Sequence, residues 1–133
     1  DAADKLAVNV HSCVNASAQY AALEALNGPQ DCVTMMNDAF KKRSKIMFKQ
    51  LNKLDLISCN NPQGAFYCFP NISKLNFSSL DFQNKLLNET GIAAIAGTSF
   101  GEFGEGYLRF SCASSEESIK RAIEKLSLLL SKL

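Results

Sequence analysis

Five glycines within sixteen residues, Gly91, Gly97, Gly101, Gly104 and Gly106, set the strictest limit on what this chain can fold into. They bracket two short apolar runs, Ile92 to Ala96 and Tyr107 to Cys112, which read as strands joined by the loop Gly97 to Gly106. Glycine reaches positive φ and lets backbone approach backbone closely, so this loop is expected to press against another surface. A helix is expected on each side. Ser79 to Thr90 has Ser78 or Ser79 as cap, an apolar side of Leu80, Phe82, Leu86 and Leu87, and Gly91 as terminator. Ser114-Ser115-Glu116-Glu117 resembles a capping box with Ser114 as the cap. The helix after it carries Ile119, Ala122, Ile123, Leu126 and Leu129 or Leu130 on one face.

Upstream the pattern is helical. Ala2 to Val10 is a short apolar segment, and Asn15 to Ser17 offer caps for a helix Ala18 to Leu26 that Asn27-Gly28-Pro29 stops. Pro29 suits a first helical position for a third helix. Val33, Met36, Phe40, Ile46 or Met47, Leu51 and Leu54 recur there at helical spacing, and Lys41, Lys42, Arg43, Lys45 and Lys49 form a solvated outer side. Run to Leu54, that helix would be roughly 35 Å long, a strut with one end leaving the compact body. Leu56 to Ser58 reads as a brief strand, Asn60 to Gly64 as a turn, and Ala65 to Phe69 as a strand ended by Pro70. The expected fold class is α+β: a two-layer domain over residues 55–133 with a three- to four-stranded sheet covered by helices, preceded by a helical segment, 1–54.

Composition excludes several classes. With 133 residues, 47% hydrophobic and 20% charged, the chain is not disordered. A net charge of +1 lacks the basic surplus that phosphate recognition needs, so no nucleic-acid partner is expected. No apolar run is long enough to cross a bilayer, so no membrane partner is expected either. The start, Asp1-Ala-Ala-Asp-Lys5, has neither Met nor a signal-peptide pattern, and the chain reads as a piece of a longer protein.

Cys13, Cys32, Cys59, Cys68 and Cys112 are widely spaced, and His11 is the one histidine, so no metal site is expected. Buried, reduced thiols in a cytoplasmic setting are the expected state. Asn15, Asn71, Asn76 and Asn88 head glycosylation sequons, which a chain without a secretion signal is expected to leave unmodified.

Arg109 is the residue that most points to chemistry. In an alternating strand it faces away from Leu108 and Phe110. A guanidinium in so apolar a strand needs an anion. Two partners are open: a structural carboxylate (Glu102, Glu105 or one on the final helix), or a carboxylate ligand gripped by the planar fork through two parallel hydrogen bonds.

The ordered set Gly91-Ile-Ala-Ala-Ile-Ala-Gly97, Phe100-Gly101, Gly104 and Leu108-Arg109-Phe110-Ser111 resembles the C-terminal signature of fold-type I pyridoxal-phosphate-dependent aminotransferases of the aspartate aminotransferase kind. Gly64-Ala65-Phe66-Tyr67 is similar to the family's glycine-aromatic strand, and Ala18-Gln19-Tyr20-Ala21-Ala22-Leu23-Glu24-Ala25-Leu26 to its Gln-Ala-Ala helix. The likeness spans nearly the whole chain. One departure is Ala96, where the family usually has proline, a change expected to loosen the loop slightly.

The resemblance implies that this chain is the C-terminal, small-domain portion of an enzyme moving an amino group between an amino acid and a 2-oxo acid. It places α-carboxylate binding on Arg109 and puts Phe100 on the substrate side of the loop. Pyridoxal phosphate would be held mainly by a large domain outside this chain, which also supplies the Schiff-base lysine; Lys5 and the other lysines here match no such motif, so the chain alone is expected to be inactive. His11 to Asn15 would fall in a polar loop near a subunit boundary, and the full enzyme would be a homodimer. The alternatives are a non-catalytic binding or regulatory module of the same fold, in which Arg109 serves packing or an acidic ligand, and a small self-standing domain. Among substrates, the motifs lean towards the aspartate group.

Overall fold

The computed structural model describes all residues, 1–133. They form two compact units, Asp1–Met35 and Met36–Leu133. The first contains α1 (Ala2–His11) and α2 (Ala16–Asn27). Each begins on a side-chain cap: Asp1 accepts from the Ala3 N–H, and Asn15 from the Ala18 N–H. Neither helix has a buried residue, so Leu6, Val10, Tyr20, Leu23 and Leu26 are all exposed.

Helix α3 (Asp31–Leu51) starts two residues after Pro29, because Gln30 supplies the carbonyl that receives the Val33 and Thr34 N–H groups. It ends before Leu54. The Asn52 side chain donates to the carbonyls of Phe48 and Cys59 and accepts the Cys59 N–H, and so turns the chain out of the helix. Lys41, Lys42, Lys45 and Lys49 are exposed as the sequence predicts, whereas Arg43 is half-buried, its guanidinium 5.7 Å from the ring centre of Phe40.

The sheet has three strands in the order β1-β3-β2: β1 (Tyr67–Cys68), β2 (Ile95–Ala96) and β3 (Leu108–Ser111), both pairings antiparallel. The expected segment Leu56 to Ser58 contributes only an isolated bridge, Ser58 to Asn71. Ile57 is buried there, and its N–H closes a turn on the Leu54 carbonyl while the Cys59 N–H goes to the Asn52 side chain, so neither joins a ladder. Between β1 and β2 lies α4 (Ser79–Thr90), capped by Ser78 and closed by Gly91 at φ 72°, a left-handed conformation that glycine takes without strain. Its buried stripe is Ser79, Phe82 and Leu86, while Leu80 and Leu87 face solvent. Helix α5 (Glu116–Leu130) is capped by Ser115 rather than Ser114; the Ser115 hydroxyl accepts the Ser118 N–H at 3.1 Å.

One core results. Leu108 and Phe110 on β3 and Cys68 on β1 face Met47 and Leu51 of α3, Phe82 and Leu86 of α4, and Ile119, Ile123 and Leu126 of α5. Each large side chain so buried contributes about 1.5–3 kcal/mol. Helices cover this face of the sheet; the opposite face remains open.

Candidate functional site

The open face is where Arg109 lies. On β3, Leu108 and Phe110 are buried and Arg109 between them is half-buried, the alternation the sequence predicts. The register sets Ile95 of β2 beside Arg109, and Tyr67 of β1 beside Ser111. Tyr67, Arg109 and Ser111 therefore share one face. The guanidinium carbon stands 4.3 Å from the ring centre of Tyr67 and 4.3 Å from that of Phe100. Phe69 extends this surface: it meets Phe100 edge-on at 6.2 Å and stacks on Tyr107 at 5.3 Å.

No acid neutralises the guanidinium. The four ion pairs are the α-amino group of Asp1 with the Asp4 carboxylate, Lys41 with Asp38, Lys42 with Glu116 and Lys85 with Glu89. Glu105, one of the expected partners, instead accepts the Ser79 N–H at 2.8 Å. Another, Glu116, is held by Lys42 at 2.7 Å, whose hydrogen bond draws its carboxyl below the usual carboxylate range. No buried side-chain nitrogen or oxygen lacks a partner, so the unbonded Arg109 donors reach solvent. A guanidinium lying on aromatic faces keeps its N–H groups, which lie in its own plane, available to an incoming acceptor. The donor set fits a carboxylate.

Phe100 owes its place to a clasped loop. Gly97 and Gly104 meet backbone to backbone, so a Cβ on either would collide with the other's carbonyl oxygen. Gly101, at φ 127°, turns the chain just after Phe100. Helix α4 pins both ends of this loop. The buried Ser79 hydroxyl accepts the N–H groups of Gly106 and Tyr107 at 2.8 and 3.2 Å, and Gln83 Oε1 accepts the Ala96 N–H at 2.7 Å. Proline at position 96 would have no N–H to give.

Sequence reasoning named Arg109 and Phe100, and the structure brings them together. It missed Tyr67 as a neighbour of Arg109, Phe69 and Tyr107 as the aromatic surface beside Phe100, and Ser79 and Gln83 as the loop's anchors. The signal for Tyr67 was parity: it pairs with Ser111, two residues from Arg109. His11 to Asn15 lies in the other unit, where Ser12 sits at φ 58° and Cys13 and Val14 are exposed.

Comparison with known proteins shows the family and the fold. The sequence profile of the aminotransferase class I and II family matches residues 1–126. The aspartate aminotransferase of Pyrococcus horikoshii is 38% identical over 124 residues, which are 92% of this chain and 32% of that protein. The aspartate aminotransferase of Bacillus sp. strain YM-2 is 40% identical over 123 residues, 87% of this chain and 31% of that protein. The solved structure of an aromatic aminotransferase from Pyrococcus horikoshii OT3 superposes with a TM-score of 0.91 at 33% identity, covering 96% of this chain and 34% of that one. The chain therefore belongs to the class I and II aminotransferase family, and spans about a third of the length of the relatives it matches.

The family implies pyridoxal phosphate. The residues around Arg109 do not fit that group: an aldehyde calls for an amine and a phosphate for a cradle of donors, whereas Arg109 is bordered by Tyr67 and Phe100. No helix is long and apolar enough to cross a membrane.

Proposed function

We propose that this chain is the C-terminal, small-domain portion of a pyridoxal-phosphate-dependent aminotransferase, and that Arg109 receives the α-carboxylate of its amino acid and 2-oxo acid substrates. The observation that carries this reading is a half-buried guanidinium with no internal acid, resting 4.3 Å from each of two aromatic rings on the uncovered face of the sheet. An arginine kept only for folding would be expected to end on Glu102, Glu105 or a helix carboxylate, as buried charges are normally paired.

The part played by this chain is binding and orientation. The two rings limit the rotamers of Arg109, so less freedom is lost when its fork meets a carboxylate. Two parallel charge-assisted hydrogen bonds fix both the position and the rotation of the carboxylate, and with them the direction of the neighbouring Cα–H bond. Phe100 borders the receptor and keeps water from one side of it. The cofactor and the lysine that carries it belong, in this reading, to a large domain outside the chain, and 1–54 links that domain to residues 55–133. The exposed apolar residues of α1 and α2 support a longer, homodimeric protein that covers them, and the free cysteines support a cytoplasmic setting.

The test is kinetic. In the full-length protein, Arg109→Lys keeps the charge and loses the fork, and kcat/KM for amino acid substrates is expected to fall about 10- to 100-fold, the cost of a lost charged hydrogen bond. An unchanged kcat/KM in a folded variant refutes the assignment.

A further inference from the structure

The covered face of the same two strands carries sulfur. Cys68 pairs with Phe110 across β1 and β3, and Cys112 follows Phe110 by two residues, so both thiols point to the core side. The Cys112 N–H donates to the Phe66 carbonyl at 2.8 Å, which extends the ladder beyond the last residue of β3. Both cysteines are unpaired and fully buried, with their Sγ atoms 4.0 Å apart. Met47 Sδ stands 3.7 Å from Cys112 Sγ. The hydrogen bond between the thiols pulls Cys112 below the ordinary thiol range and pushes Cys68 above it, so one member is the better nucleophile and the other keeps its proton.

We propose that Cys68 and Cys112 form a redox pair that a peroxide converts into a disulfide joining β1 to the end of β3. The Cys112 thiol gives up its proton, its thiolate sulfur attacks the peroxide, the O–O bond breaks, and the departing hydroxide takes that proton, leaving a sulfenic acid and one water. The Cys68 thiol then attacks the sulfenic sulfur. The S–S bond forms, the S–O bond breaks, and the oxygen leaves with the Cys68 proton as a second water. Two thiols are oxidised by two electrons and one hydrogen peroxide is reduced to two waters. Closing 4.0 Å to the disulfide length of about 2.05 Å asks for movement of about 2 Å, and because Cys112 stands two register positions from Phe110, the partner of Cys68, the strands shift as well as the side chains, beside a flexible Met47. Local opening of the short strands admits the oxidant. The bond would bind together, from beneath, the two strands whose outer face holds Tyr67 and Arg109, and would enclose α4 and the glycine-rich loop in one covalent ring.

The pairing rests on core geometry and not on the role of Arg109, so it is tested without any activity measurement. The 133-residue chain carrying Cys13→Ser and Cys32→Ser, which removes the two exposed thiols, is treated with hydrogen peroxide. Remaining thiols are blocked with N-ethylmaleimide in denaturant, and the digest is read by mass spectrometry. The expected product is a peptide pair linking Cys68 to Cys112, two hydrogens lighter, with Cys59 alkylated, and restored to free thiols by dithiothreitol. The unsubstituted chain is expected to give the same pair, which guards against a change of fold in the variant. Recovery of Cys68 and Cys112 alkylated, or a disulfide from either to Cys59, overturns the proposal.

Discussion

The amide oxygen of Gln83 accepts the backbone N–H of Ala96 at 2.7 Å, across the join between α4 and the strand that enters the glycine-rich loop. A substitution that was expected to loosen this loop thus comes with a bond that holds it. Gln83→Ala strands the buried Ala96 N–H, and is expected to lower unfolding free energy by about 1–3 kcal/mol in urea titration. Ala96→Pro removes the same donor and adds ring atoms facing Gln83. Its cost is expected to be smaller in the Gln83→Ala background than alone. Strict additivity in this double-mutant cycle would show that the two residues are not coupled.

Gly97→Ala places a methyl group against the Gly104 carbonyl, where backbone must move on both sides. It is expected to destabilise the chain by about 2–4 kcal/mol and to broaden the loop's amide resonances. Gly64→Ala meets nothing within 4 Å and serves as the control, with a change within about 0.5 kcal/mol. Equal melting temperatures for the two variants would contradict the clasp.

Lys42 and Glu116 give a pH signature. The Lys42 hydrogen bond lowers the Glu116 carboxyl in the folded chain, so folding favours the ionised form. The stabilisation is therefore present above the unfolded carboxylate range and is lost as pH falls through the folded one. Lys42→Met is expected to lower stability slightly at neutral pH and to flatten the acid limb below about pH 5 by the same small amount, the two profiles meeting in acid, with the size limited by the exposed Lys42. Superimposable acid limbs in urea titrations would dismiss the pair as a contributor.

Much of this was legible in residues close in sequence. The alternation Leu108-Arg109-Phe110 fixed which face Arg109 takes, and Gly91 marked the end of α4, because strand parity and helix termination are local. Other features were not. Ser79 reads only as one of two candidate caps and Gln83 carries no signal, and only the docking of the loop 13 to 28 residues later makes them its anchors. The cap of α5 moved from Ser114 to Ser115, since two adjacent serines offer the same hydroxyl and the incoming strand decides between them. Tyr67 lies 42 positions before Arg109, and no local pattern announces that its ring would lie under the guanidinium.

That ring has its own test. Tyr67→Leu keeps an apolar contact and removes the π face, and is expected to weaken carboxylate binding about 2- to 5-fold, in line with roughly 0.5–1 kcal/mol for a partly exposed cation–π contact. Titrations with an amino acid, run beside the parent chain, measure it. Unaltered affinity would leave Tyr67 as packing alone.

The role of Arg109 is tested most directly by the Nε–Hε resonance of its guanidinium in the 133-residue chain, followed as L-phenylalanine or phenethylamine is added. The two molecules differ by the carboxylate alone. The account expects L-phenylalanine to shift that resonance saturably, phenethylamine to leave it in place, and Arg109→Lys to abolish saturable binding. Identical responses to both amines, or no movement of the Arg109 resonance while amides elsewhere shift, would contradict it.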